Sequence, residues 1–133
     1  MKSIGNAMKK NIKYKEGKEL MERYVTKTER YVESLQWMCD KYACTDFDLP
    51  EFAGFDYGKA IRYMRTWKII QELPVDKRNL WLVYLACETD YTKTLEVYNG
   101  VGQTCKNIAT LRVMVSNVRK LIRSKYTERY GSD

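Results

Sequence analysis

The last third of the chain carries an apolar stripe that an α-helix gathers onto one side. Cys105, Ile108, Leu111, Val115, Val118 and Ile122 are spaced 3, 3, 4, 3 and 4, the period at which side chains stack along one helix face. Thr104 is a natural cap for its start, so the spacing predicts a helix over about 104–126. A second stripe, Met21, Val25, Thr28, Val32, Leu35, Cys39 and Tyr42, is spaced 4, 3, 4, 3, 4 and 3 and predicts a long helix from about Lys18 to Ala43. Tyr24, Tyr31 and Trp37 lie off that stripe and widen its contact face. Glu22, Lys27, Glu29, Arg30, Glu33 and Lys41 give the opposite side mixed charge, the pattern of a solvated surface. No segment shows sustained alternation of β-branched residues, and Asn99-Gly100 joins helical patterns rather than strands. The expected fold class is all-α: a small helical domain with a long N-terminal helix.

Between the two long helices the chain reads as shorter ones. Thr45 to Gly58, with Pro50, Gly54 and Gly58, is a loop that Phe47, Leu49, Phe52 and Phe55 pin to the core. Asp46, Asp48, Glu51 and Asp56 in it suggest a divalent ion, but their spacing fits no calcium loop. Tyr57 to Leu73 returns to helix, with Ala60, Ile61, Met64, Trp67, Ile70 and Leu73 inward. Pro74 ends it, since the residue before proline is pushed out of the α region. Asp76 is the expected N-cap of a helix running to about Cys87, with Leu80, Val83, Tyr84 and Cys87 inward. A short helix follows from Tyr91 to Tyr98, and Asn99-Gly100-Val101-Gly102 is a turn by composition.

Length and charge narrow the function classes. A chain of 133 residues suits one domain with a small core. No apolar run is long enough for a membrane span, and no apolar segment follows the N-terminal lysines as in a secretory signal, so a cytoplasmic protein is expected. Residues 1–17 read as a basic flexible arm, and residues 18–133 as a single helical domain. Cys39 and Cys44 have the spacing of half a zinc site, but Cys87 and Cys105 form no second close pair. Buried free thiols are the better reading. Histidine is absent, and with it the commonest general base and metal ligand. There is no phosphate-binding glycine loop and no Gly-x-Ser-x-Gly, so no enzyme, catalytic residue, cofactor or metal is expected.

The net charge of +7 is unevenly spread. Residues 101–130 hold Lys106, Arg112, Arg119, Lys120, Arg123, Lys125 and Arg129 against Glu128 alone, and residues 1–19 hold six lysines against Glu16 and Glu19. Two basic ends around a mildly acidic middle point to a polyanionic partner. Arg112, Ser116, Arg119 and Arg123, spaced 4, 3 and 4, share one face of the last helix, with Lys106 and Lys120 beside them. Such a face suits phosphates and guanine edges, while Gln103 and Asn107 suit adenine. Amides and the Thr104 hydroxyl at the helix start suit a phosphate.

The span 73–126 resembles the fourth-region helix-turn-helix of bacterial sigma factors, in its shortened, often phage-encoded form. The resemblance rests on Leu73-Pro74 with Arg78, the helix Leu80-Trp81-Leu82-Val83-Tyr84-Leu85, Tyr91-Thr92-Lys93, Gly100-Val101, and Val118-Arg119-Lys120-Leu121-Ile122. It implies a DNA-binding transcription regulator whose long last helix enters the major groove of double-stranded DNA, with Gln103, Thr104, Lys106, Asn107, Arg112, Ser116, Arg119, Lys120 and Arg123 at the interface. RNA polymerase is a further partner it suggests. Leu95 stands where the family has a small residue, and the stretch from Val101 to Val118 is longer than usual. The rest of the chain does not look like the family's promoter-melting region. The alternative from another class is a helical interaction or assembly adaptor that binds no DNA, using the Met21–Tyr42 stripe as a seam for a partner helix or a homodimer.

Overall fold

A computed structural model describes residues 2–43 and 54–131, with side chains from Tyr14 onward. The described residues form five helices and no strand: α1 (Lys2–Tyr42), α2 (Tyr57–Glu72), α3 (Val75–Ala86), α4 (Tyr91–Gly100) and α5 (Ile108–Tyr130). Among them, no helix is long and apolar enough to cross a membrane. Helix α1 takes in the lysine-rich stretch expected as an arm, beginning at Lys2 rather than near Lys18. Asp46, Asp48, Glu51, Phe47, Leu49, Phe52 and Cys44 lie outside the described residues.

Helices α2, α3 and α4 each pack against both long helices, so they stand between α1 and α5. That position explains where the sequence reading fell short. Helix α3 buries Leu80, Trp81, Leu82, Val83 and Tyr84 in succession, the all-round burial of a helix with neighbours on every side. On α2 the stripe predicts Ile70 and Trp67, which are buried, but the most enclosed residue is Ile69, fully inaccessible and off the stripe. The α1 stripe packs inward as expected through Thr28, Leu35 and Cys39, whereas Tyr42 at its end is 46% exposed, and Tyr31 and Trp37 are each 52% exposed.

Local chemistry sets the helix ends. Asp56 caps α2 by accepting from the Lys59 N–H at 3.0 Å. Asp90 caps α4 by accepting from the Thr92 and Lys93 N–H groups at 3.0 and 3.2 Å. Pro74, not Asp76, is the N-cap of α3, and Asp76 lies in the first turn, where a negative charge meets the positive end of the helix. Glu88 and Thr89, between α3 and α4, both adopt left-handed backbone with φ of 57° and 63°, a conformation that disfavours residues with a Cβ. Gly17 lets α1 approach α4: a Cβ there would stand 2.8 Å from a Val101 methyl and 2.9 Å from a Val97 methyl.

Cys39, Cys87 and Cys105 are buried free thiols in three different apolar clusters. Burial raises the pKa of Cys39 and of Cys87 above the ordinary thiol value, which disfavours the reactive thiolate.

Candidate nucleic-acid interface

The interface is built on α5, whose buried edge is Leu111, Val115, Val118 and Ile122. Those four seat the helix on α2, α3 and α4 and leave its other faces to solvent. The helix starts at Ile108, not Thr104, because Asn107 is the cap: its side chain accepts from the Thr110 N–H at 2.9 Å. Val101–Asn107 is therefore a seven-residue connection between α4 and α5, longer than the three- or four-residue turn of a compact helix-turn-helix. Asn99 organises it. Its side-chain amide donates to the Cys105 carbonyl at 2.9 Å and accepts from the Cys105 N–H at 2.8 Å.

The nine residues expected at the interface divide into three groups. Lys106, Arg112, Arg119, Lys120 and Arg123 are exposed, and Ser116 is half-buried on the same helix face as Arg112 and Arg123. Asn107 is occupied as a cap, its side-chain oxygen engaged by the Thr110 N–H. Thr104 is exposed in the connection rather than on the helix, and Gln103 faces a cavity lined by Tyr14, Lys18, Met21 and Tyr98. Gln103 thus lies toward α1, away from the arginine row. Leu95 is half-buried in the core, while its neighbour Thr94 is fully buried and returns its hydroxyl to the Asp90 carbonyl at 2.6 Å.

The arginines rest on aromatic rings to which the sequence assigned no role at the interface. Arg112 lies over Tyr91, 5.0 Å from the ring centroid, and Arg119 lies over Trp81 at 5.7 Å. A guanidinium donor of Arg119 also reaches the Tyr84 hydroxyl at 3.4 Å. Trp81, Tyr84 and Tyr91 pack on one another with centroids 5.5 and 5.3 Å apart. Hydrogen bonding to Tyr84, followed by burial, raises the Tyr91 pKa above the ordinary phenol value, while Arg119 and Arg112 act against that rise. A stacked guanidinium is held in place with its donor edge still outward.

Beyond the aromatic row, α2, α3 and α5 enclose a cleft of about 630 Å³ lined by Arg62, Thr66, Trp81, Arg119, Ile122, Arg123, Tyr126, Thr127 and Gly131. Trp81 Nε1 and the Tyr126 hydroxyl are buried there without a hydrogen-bond partner, a state that costs about 1–3 kcal/mol per group. Among the described residues, no three metal-ligating side chains converge anywhere in the molecule.

One signal for the basic surface was plain in the sequence: no aspartate or glutamate lies between Glu96 and Glu128. The aromatic supports had no such signal, because nothing local in the sequence records that α5 is laid across Trp81, Tyr84 and Tyr91. No protein-family model matches the chain, and comparison with curated proteins and with solved structures gave no match.

Proposed function

We propose that this protein binds double-stranded DNA through α5 and acts in transcription, in the manner of the sigma-like helix-turn-helix that residues 73–126 resemble. The observation that carries the reading is the acid-free stretch from Lys106, just before α5, to Arg123 on it, in which Lys106, Arg112, Lys120 and Arg123 are all exposed. A surface with that many cations and no carboxylate releases counterions from a phosphate backbone. Lys106, Lys120, Arg119 and Arg123 supply phosphate contacts, and Arg112, pre-positioned over Tyr91, supplies a guanine-reading fork. On this reading α5 enters the groove without the tight turn usual to such modules, since seven residues connect it to α4.

The test is binding to a fluorescent random-sequence duplex between about 50 and 200 mM salt. About six phosphate contacts produce a loss of roughly a thousandfold over that range. Flat or undetectable binding at the low-salt end would overturn the reading.

A second reading, a protein-interaction adaptor, has one observation in its favour. Tyr31, Trp37, Tyr42, Tyr57 and Tyr63 are exposed along α1 and α2, and aromatic residues are enriched in protein interfaces. The apolar α1 seam itself is engaged within the chain, against α2, α3 and α4. An adaptor would therefore use the exposed aromatics rather than the Met21–Tyr42 stripe.

A further inference from the structure

We propose that the cleft between α2 and α5, which shares Arg119 and Arg123 with the DNA reading, is a binding site for a phosphoryl group. Its lining is one-sided in hydrogen-bonding character. Arg62, Arg119 and Arg123 bring guanidinium donors, Trp81 Nε1 is a donor only, and Thr66, Thr127 and Tyr126 bring hydroxyls that donate as readily as they accept. Among the described residues, no carboxylate lines it. A ligand that satisfies such a wall is an anion made of acceptors, and a phosphoryl group offers several oxygens to guanidinium forks at once.

The second observation is independent of charge. Trp81 is 9% exposed, it lines the cleft, and its indole N–H has no partner. The Tyr126 hydroxyl on the same wall has none either. Arg119 lies over the Trp81 ring, so a phosphoryl oxygen that draws Arg119 toward the cleft opens a path to the indole N–H. The volume of about 630 Å³ exceeds that of a single phosphate and suits a pyrophosphate, a nucleotide or a segment of nucleic-acid backbone.

The experiment follows the three indole N–H signals of the full chain by ¹H–¹⁵N NMR, with Trp81→Phe identifying the Trp81 resonance. Sodium pyrophosphate and a short DNA duplex are titrated separately at constant ionic strength, with sodium chloride as the control. The expected result is a saturating shift of the Trp81 signal, with the Trp37 and Trp67 signals still. Arg62→Gln, a surface change on α2, weakens that response about tenfold, the scale of one charge-assisted hydrogen bond. A response to pyrophosphate assigns the cleft to a free phosphorylated compound; a response to duplex alone that Arg62→Gln weakens assigns it to a backbone phosphate, whereas one that Arg62→Gln leaves unchanged is contact along α5 and overturns the proposal. An unmoved Trp81 signal with both probes, or a shift that chloride reproduces, overturns the proposal. Lys106→Glu with Lys120→Glu separates it from the DNA reading, since neither residue lines the cleft: these changes weaken duplex binding through α5 and leave the pyrophosphate response intact.

Discussion

Helices α1 and α5 are built on the same apolar period and pack against the same three helices, yet their outer surfaces differ in kind. On α1 the exposed residues alternate in sign, with Glu22, Arg23, Lys27, Glu29, Arg30 and Glu33 in close succession, and large aromatic rings stand among them. From Lys106, just before α5, to Arg123 on it, the exposed charges are all basic, and Arg112 and Arg119 lie on aromatic rings supplied by α4 and α3. A shared period fixes a shared way of packing. The sign of the charge between the apolar positions decides which helix can meet a polyanion.

The largest effect expected from that contrast is on DNA affinity. Lys106→Glu, Arg112→Glu and Lys120→Glu together should weaken duplex binding about a hundredfold or more near 0.1 M salt. The matched set on α1, Lys27→Glu, Arg30→Glu and Lys41→Glu, should change it by no more than about twofold. Fluorescence anisotropy on both triple variants decides it, and equal losses would erase the distinction between the helices.

Stability sharpens the same comparison. Leu111 on α5 is fully inaccessible, so Leu111→Ala should destabilise by about 2–5 kcal/mol in urea unfolding. Val32 on α1 is only half-buried, and Val32→Ala should lose about half as much or less. Gly17→Ala tests the α1 approach from the other direction. Its methyl meets the Val97 and Val101 side chains, and overpacking of this kind costs about 1–3 kcal/mol, measurable as a lower urea midpoint.

The smallest effect is electrostatic. Arg129 on α5 donates to Glu72 on α2, and that hydrogen bond holds the Glu72 carboxyl below its ordinary pKa. A depressed folded-state pKa stabilises the fold above the unfolded value, and the contribution disappears as pH falls through the folded one. Both side chains are well exposed, so solvent screens the pair. Glu72→Gln should be slightly less stable than the parent at neutral pH and equal to it in acid, as read by thermal unfolding across a pH series.

The fold class was legible because helical periodicity is a local property. Leu111, Val115, Val118 and Ile122 announce their helix without reference to anything else in the chain. Ile69, Trp81 and Leu82 were missed as buried because their burial comes from standing between two other helices, which no local period records. The start of α5 was misread for a related reason. Thr104 and Asn107 are both good caps, and the choice between them was made when Asn99 bound Cys105 and held the intervening chain out of the helix. The basic half of the candidate site could be read from charge alone. Its aromatic half, and the cleft beside it, came from packing between segments distant in sequence.

The bond pattern at Asn99 has one more consequence. By giving and taking a hydrogen bond with both polar groups of Cys105, a side chain imitates the reciprocal pairing of two facing residues in an antiparallel ladder. The chain between them becomes a closed loop anchored to the last turn of α4. Its backbone opens to solvent only when that anchor lets go, so the Cys105 amide should exchange hydrogen in step with the amides of α4 rather than with those of a surface turn. The aim of the basic helix is then inherited from the helix before it, and the two move as one lever.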